Sequence, residues 1–271
     1  MDWVKNRTVL VTGASSGIGR ELTVQLIKEY DCKVIGIGRS EEKMENLKAE
    51  LTYLEDKFTY YTFDVSDENE WVILSQEFEA EHTGIDIIIN NAGMMPVINK
   101  AVNYSEEQVR ECFAVNFDSI RYSTKYMLPI LRRSSMPGIL NISSIDAFFP
   151  IIGTSIYAAS KAAVKSYSEA LIAELGREMY IGYVCPGVIK TDLYRNQFPK
   201  HDKRWRKHKG TSVEKAAKKI LKRLNRGKAR TLIGKDASFM NFLSKFFPVS
   251  GIKLMEIIIK KSKLKMFDSV R

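Results

Sequence analysis

Tyr157 and Lys161 stand four residues apart in a stretch with helical periodicity, residues 155–178, so their side chains share one face. Free tyrosine has a pKa of about 10 and is a weak base at neutral pH. An ammonium group beside it favours the phenolate and lowers that value, which lets Tyr157 give or take an alcohol proton. The pair alone is not diagnostic, because Tyr-x-x-x-Lys also occurs on exposed helices. A second feature lies near the N-terminus: Gly13, Ala14, Ser15, Ser16, Gly17, Ile18 and Gly19 follow an apolar strand pattern and open a helical one. Glycines at such a turn let the backbone close around a pyrophosphate, and the helix start turns its free N–H groups toward it. The second strand ends at Arg39, where an enzyme choosing NAD usually carries a carboxylate for the ribose 2′-hydroxyl. A guanidinium there suits the 2′-phosphate of NADP, and NAD is the weaker fit. Solvation of Arg39, with Glu41 or Glu42 capping the next helix, is the plainer alternative.

The elements that must position these groups read as repeated strand–helix units. Residues 8–11, 33–37, 58–63, 85–89, 139–142 and 181–185 are short and apolar on both faces, as buried parallel strands are. Amphipathic stretches separate them at 18–30, 41–54, 68–82, 105–131 and 155–178. This alternation predicts an α/β class, a Rossmann-type doubly wound parallel sheet with helices on both faces, in a single domain. Residues 1–191 form the dinucleotide-binding and catalytic core. Residues 192–271 read as a basic, C-terminal helical extension of the same domain: a helix at 213–224, a last strand at 230–233, and, over 236–261, two short helices whose apolar clusters at 239–247 and 252–259 are split by Pro248 and Gly251.

Composition narrows the function classes. Of the 271 residues 45% are apolar and 27% charged, the balance of an ordinary globular domain. Cys32, Cys112 and Cys185 are odd in number and far apart, which argues against a disulfide framework or thiolate zinc site and for a reducing compartment. His82, His201 and His208 lack the spacing of a metal site. With no secretory pattern at the start and no apolar run of about 20 residues, a cytoplasmic location is expected. The net charge of +10 is uneven: residues 191–271 hold 23 lysines and arginines against six acids. Such a basic third suits an anionic partner, a solvated surface, or peripheral contact with an anionic membrane. Few aromatics accompany it and no nucleic-acid motif appears, so nucleic acid is not an expected partner.

From Lys5 to about Thr191 the chain resembles the short-chain dehydrogenase/reductase family. The resemblance rests on the 12–19 turn, Asp64-Val65, Asn90-Asn91-Ala92-Gly93, Asn116, Ser144, Tyr157 with Lys161, and Pro186-Gly187, all in the family's order. It implies a tetrad of Asn116, Ser144, Tyr157 and Lys161. Ser144 would polarise the substrate oxygen, and the Asn116 backbone would hold a water that relays protons through Lys161. Lys161 would also bond the nicotinamide ribose. Asp64 would accept from the adenine amino group beside Val65, Asn90 would lie along the ribose, and Val188 and Thr191 would hold the carboxamide. For Asp64 the alternative is a helix cap, a role better filled by Ser66 or Asp67; for Asn90 it is a structural asparagine at a strand end. The implied activity is reversible hydride transfer between NADP(H) and a carbonyl or secondary alcohol. A fold kept only to bind dinucleotide or lipid is the alternative, and within the enzymes a 3-oxoacyl thioester reductase.

The family's substrate segments carry Met94, Met95, Pro96, Val97, Asp146, Phe148, Phe149, Ile152, Tyr194 and Phe198 here. Methionines and phenylalanines make an adaptable apolar pocket, fitting a steroid-like or lipid-like ketone or alcohol. Asp146 is the polar exception, either a partner for a second substrate hydroxyl or a loop cap. Residues 194–209, with Arg195, Lys200, Lys203, Arg204, Trp205, Arg206, Lys207 and Lys209, correspond to the family's lid. Family analogy also implies a homodimer or homotetramer.

Overall fold

The computed structural model describes residues 3–198, 210–261 and 264–270. Seven parallel strands, β1 (Thr8–Thr12), β2 (Lys33–Gly38), β3 (Phe58–Thr62), β4 (Ile87–Asn90), β5 (Gly138–Ile142), β6 (Tyr180–Pro186) and β7 (Arg230–Ile233), lie in the order β3-β2-β1-β4-β5-β6-β7. The order reverses between β1 and β4, whose register pairs Val9 with Ile87 and Val11 with Ile89. In an open α/β sheet a ligand crevice forms at the carboxyl ends of the strands at such a reversal.

Apart from their threonines and asparagines, strands β1, β4 and β5 are apolar on both faces because both sheet faces are covered. On one side Val9, Val11, Ile87 and Ile89 pack against α1 (Gly17–Tyr30) and α8 (Val213–Leu224). On the other, Leu10, Ile88 and Ile139 meet α3 (Glu68–Ala80), α5 (Ser119–Leu131) and α6 (Ser155–Leu175). The apolar stripe of α8, Ala216, Ala217, Ile220, Leu221 and Leu224, is buried in the first of these cores, with Val213 partly buried beside it. Trp3 Nε1 donates to the Leu224 carbonyl at 2.8 Å, so α8 is tied to the start of the chain. The basic third is thus part of the same packed body.

Several boundaries differ from the sequence reading. The helix expected at 41–54 ends as α2 (Glu41–Glu50), followed by a 3-10 segment, Thr52–Lys57. The single helix expected at 105–131 is α4 (Glu106–Phe113), a π-helical turn at Ala114–Asp118, and α5. Such wide turns gather at functional sites, and this one contains Asn116. A capping box starts α4, where Ser105 accepts from the Gln108 N–H and the Gln108 side chain returns to Ser105. Asp67 caps α3 by accepting from Asn69, as its position in the sequence suggested. A short α7 (Asp192–Arg195) follows β6. The last two helices, α9 (Lys235–Phe246) and α10 (Ser250–Lys261), fill the span expected for them. A 3-10 segment at Lys265–Val270, which no sequence signal marked, packs Met266, Phe267 and Val270 against Ile98 and Phe198. Among the described residues, no helix is long and apolar enough to cross a membrane.

Candidate active site

A cavity of about 250 Å³ opens at the carboxyl ends of β1, β4, β5 and β6. Its outer part is the turn after β1. Gly13 has φ +67°, a left-handed conformation that costs glycine little. At Gly19 a Cβ would strike the Gly13 carbonyl and the Asn91 amide, so α1 can approach β4 this closely only without a side chain. Thr12 closes the turn: its Oγ1 accepts from the N–H groups of Asn91 and Ala92, each at 2.9 Å. Asn91 Nδ2 donates back to the Thr12 carbonyl at 3.0 Å. Ser16 precedes α1 without capping it, and the first turn of α1 contains no acid. The helix start therefore keeps its donors and positive end for an anion, which is what a dinucleotide pyrophosphate requires. Gly13, Ser16, Gly17 and Ile18 line the cavity, whereas Ser15 turns toward Gly38 at the end of β2.

Arg39 leaves β2 exposed, with Nη1 3.6 Å from Asp64 Oδ2. Asp64 Oδ1 also accepts from the Ser66 N–H at 2.9 Å and hydroxyl at 2.7 Å. Partial burial pushes the Asp64 carboxyl up, but the Ser66 donors and then Arg39 outweigh it and hold it below its usual value. Val65 is buried, and its carbonyl accepts from Trp71 Nε1 at 2.9 Å.

Asn90 does not reach the cavity. Its Nδ2 donates to Asn141 Oδ1 at 2.8 Å and its Oδ1 accepts from Ser123 Oγ at 2.7 Å. Asn141 Nδ2 continues to Ser168 Oγ at 2.9 Å. The side chain expected along a ribose is instead consumed in a buried amide chain joining β4, β5, α5 and α6. Its neighbours Asn91, Ala92 and Gly93 do line the cavity.

At the inner end, β5 delivers two serines in opposite directions, as alternation requires. Ser143 Oγ donates to the Lys161 carbonyl at 2.8 Å, fixing α6 to the sheet. Ser144 Oγ accepts from the Asp146 N–H at 3.2 Å and lines the cavity together with Tyr157. Lys161 is buried in the same wall, and its Nζ donates to the Ile142 carbonyl at 3.0 Å. Burial brings the Lys161 ammonium down to about 8. The effect on Tyr157 is opposite to the sequence expectation. Burial first, then the Asp146 carboxylate, push the phenol well above its ordinary value, against a smaller opposing effect of Ser144. Asp146 was expected as either a substrate partner or a loop cap. It lies in the cavity wall with Thr154, and burial raises its carboxyl to about 7.

Asn116 holds the wall without lining it. Its Oδ1 accepts from the Met94 N–H at 2.8 Å, and its Nδ2 donates to the Met94 carbonyl and to Ser160 Oγ, each at 2.9 Å. Both backbone groups of Met94 are thus clamped to α6, and its side chain is not part of the cavity lining. Phe148 and Phe149 also depart from the expected pocket. Phe149 is fully buried against α9, and Phe148 lies beneath the Arg230 guanidinium, 4.4 Å from the ring centroid. Met95 and Tyr194 do line the cavity. Of the expected lid, residues 199–209 lie outside the described residues, including Lys200, Lys203, Arg204, Trp205, Arg206, Lys207 and Lys209.

Pro186, Gly187, Val188 and Thr191 form the wall opposite the glycine turn. Their position depends on Asp236, which the sequence reading passed over. Asp236 Oδ2 accepts from the Val188 N–H at 2.6 Å, and a Cβ on Gly187 would collide with this carboxylate. The only signal was an acid in the first turn of a helix after the last strand. The apolar inner wall comes from Ile98 and Ile151, close to the motifs, and from Met240, Met266 and Phe267, far in sequence from any of them. Gln197 braces it by accepting from the Ile98 N–H at 3.1 Å.

The fold and this constellation define a dinucleotide-dependent dehydrogenase. A family model described as short chain dehydrogenase matches residues 7–202, and the chain belongs to that family. It is 34% identical over 198 residues to a benzil reductase ((S)-benzoin forming) of Saccharomyces cerevisiae, covering 70% of this chain and 74% of the yeast protein. An uncharacterized oxidoreductase of Staphylococcus aureus is 30% identical over 194 residues, 71% of this chain and 82% of its own length. Among solved structures, a short-chain dehydrogenase from Streptomyces avermitilis superposes with a TM-score of 0.78 at 25% identity, covering 96% of this chain and 100% of its own. A short chain dehydrogenase from Burkholderia cenocepacia in complex with NADP gives 0.78 at 22% identity, covering 93% and 98%.

Proposed function

We propose that the protein is an NADP(H)-dependent carbonyl reductase acting on a hydrophobic ketone. The observation that carries this is one cavity lined by Ser144, Tyr157 and Lys161 at its inner end and by the uncapped start of α1 at its outer end. Gly13, Ser16, Gly17 and Ile18 would hold the pyrophosphate, Arg39 the 2′-phosphate, Lys161 the ribose hydroxyls, and Val188 and Thr191 the carboxamide. When bound, the reduced nicotinamide supplies the hydride that the carbonyl carbon accepts.

The chain's own groups handle the oxygen. Ser144 Oγ donates to the substrate carbonyl, and Tyr157 Oη gives its proton to the alkoxide as it develops. A phenol held protonated by burial and by Asp146 carries the proton that ketone reduction consumes. Lys161, brought down to about 8, can lose and regain a proton near neutral pH, which suits the relay expected to pass through it. Ile98, Ile151, Met240, Met266 and Phe267 exclude water and favour an apolar substrate. Asp146 in the same wall suits a second oxygen. Benzil, a diaryl vicinal diketone, combines both demands and is a reasoned first substrate in view of the yeast relative.

The test is NADPH oxidation with benzil, simple aryl ketones, steroid ketones and 3-oxoacyl thioesters. Turnover of the aryl or steroid ketones is expected, and Tyr157→Phe should lower kcat by about a hundredfold or more with NADPH affinity retained. Binding of NADPH without turnover of any ketone would overturn the proposal. Turnover confined to the thioesters would correct the substrate class.

A further inference from the structure

Helices α9 and α10 present two different faces. Inward, Ala237, Met240 and Leu243 of α9 are buried beside Ile145 and Phe149, and Met240 belongs to the cavity wall. α10 is seated through Gly251, where a Cβ would stand 3.2 Å from the Phe149 ring. Outward, Phe239, Phe242 and Phe246 fall on one stripe of α9, and Phe239 and Phe246 are 55% and 64% exposed. The Phe242 ring lies 4.8 Å from Phe246 and 6.4 Å from Phe247, so the stripe continues into the turn, where Val249 is 65% exposed. On α10, Leu254, Ile257 and Ile258 are each about half exposed. Large apolar side chains exposed on two consecutive helices mark an interaction site rather than ordinary surface.

Charge identifies the occupant. Residues 235–261 contain five lysines and two acids. Both acids are engaged, Asp236 with the Val188 N–H and Glu256 with Lys260. The lysines frame the apolar stripes: Lys235 and Lys245 lie at the two ends of α9. On α10, Leu254, Ile258 and Lys261 follow one another by helical turns, as do Lys253, Ile257 and Lys260. Apolar bodies with ammonium groups at their margins match a lipid interface, where long lysine chains reach the phosphates while rings and aliphatic groups enter the acyl boundary.

We propose that the outer face of α9 and α10 docks the protein on an anionic lipid surface. A second copy is the poorer occupant, because a two-fold contact here would set one cationic margin against another. The surface would lie about one helix diameter, roughly 10 Å, from the cavity, since Met240 is on the inner side of the same helix. The docking does not depend on which ketone is reduced.

The experiment is flotation of the full-length protein with vesicles of phosphatidylcholine alone and of phosphatidylcholine containing one-third phosphatidylglycerol. The expected result is at least about tenfold stronger binding to the anionic vesicles at about 0.1 M salt, weakened at about 1 M. Phe242→Ser with Phe246→Ser should reduce that binding at least about tenfold while leaving turnover of a water-soluble ketone and the circular dichroism spectrum unchanged. Lys253→Glu with Lys261→Glu should abolish the preference for anionic vesicles. Equal binding to both vesicle types, or no flotation with either, would overturn the proposal. A concentration-dependent dimer in sedimentation velocity that the phenylalanine pair disperses would also overturn it, and assign the face to subunit contact.

Discussion

Replacing Asp146 by asparagine removes the charge and nothing else of comparable size, because the amide has nearly the shape and volume of the carboxyl group. Burial raises the Asp146 carboxyl from 3.8 to about 7 in the folded protein. Below pH about 4 the group is protonated in both folded and unfolded chains and contributes no difference. Between pH about 4 and 7 the folded protein retains a proton that the unfolded chain has lost, so stability falls as pH rises through the folded value. Above that, the full cost of an ionised buried carboxylate is present. Three units at about 1.4 kcal/mol each set an upper bound of about 4 kcal/mol. Asp146→Asn should therefore gain stability over the parent as pH rises, by up to about 4 kcal/mol at pH 8 relative to pH 4. That gain corresponds to roughly 2–4 °C in Tm per kcal/mol for a chain of this size. Urea unfolding of both proteins at a series of pH values measures it. A difference that stays flat from pH 4 to 8, or grows toward acid, would refute the burial argument. The same substitution removes the carboxylate that pushes the Tyr157 phenol up, so the alkaline limit of ketone reduction should move to lower pH.

Three further outcomes are expected. Arg39→Asp should raise the Kd for NADPH by about ten- to a hundredfold, the value of a lost charge-assisted contact, and change NADH far less; calorimetric titration with both cofactors checks this. Asn116→Ala strands both backbone groups of Met94, and should cost about 2–4 kcal/mol in denaturant unfolding with a loss of kcat. The conservative Asn116→Asp should restore only the bond to the Met94 N–H and recover part of the stability. Asp236→Asn should weaken cofactor binding, because the Val188 N–H loses a charged acceptor; an unchanged Kd would show that the segment after Pro186 holds its place without it.

The parallel sheet was legible because its strands are apolar on both faces, and the helices because their stripes repeat every three to four residues. The glycine turn and the Tyr157–Lys161 pair were legible because their chemistry needs those residue types at short, fixed spacings, whereas Ser144 was legible only through the family resemblance. What stayed hidden came from distant contacts. Asn90 sits inside a motif, yet whether its amide faces a ribose or Asn141 depends on β5, fifty residues on. The π-helical turn at Asn116 interrupts a stretch whose periodicity reads as one helix, since a single inserted residue per turn hardly disturbs the pattern. The pocket wall from Met240, Met266 and Phe267 lies beyond the last motif, and only β7 brings it back to the site. Phe148 and Phe149 carry the right chemistry for a pocket but fall on the far side of the Ile145–Ala147 3-10 turn. The phenol's shift was misjudged because the sequence shows Lys161 four residues away but not the depth of burial or the carboxylate of Asp146.

The bond from Trp3 to Leu224 spans 221 positions, and the apolar side of α1 rests on α8. During synthesis the first strand and helix leave the ribosome long before the segment that covers them. At about 5–20 residues per second the delay is roughly 10–45 seconds. The amino-terminal half of the dinucleotide site is therefore born with a bare hydrophobic flank, open to chaperones or to a neighbouring nascent chain until α8 has been made.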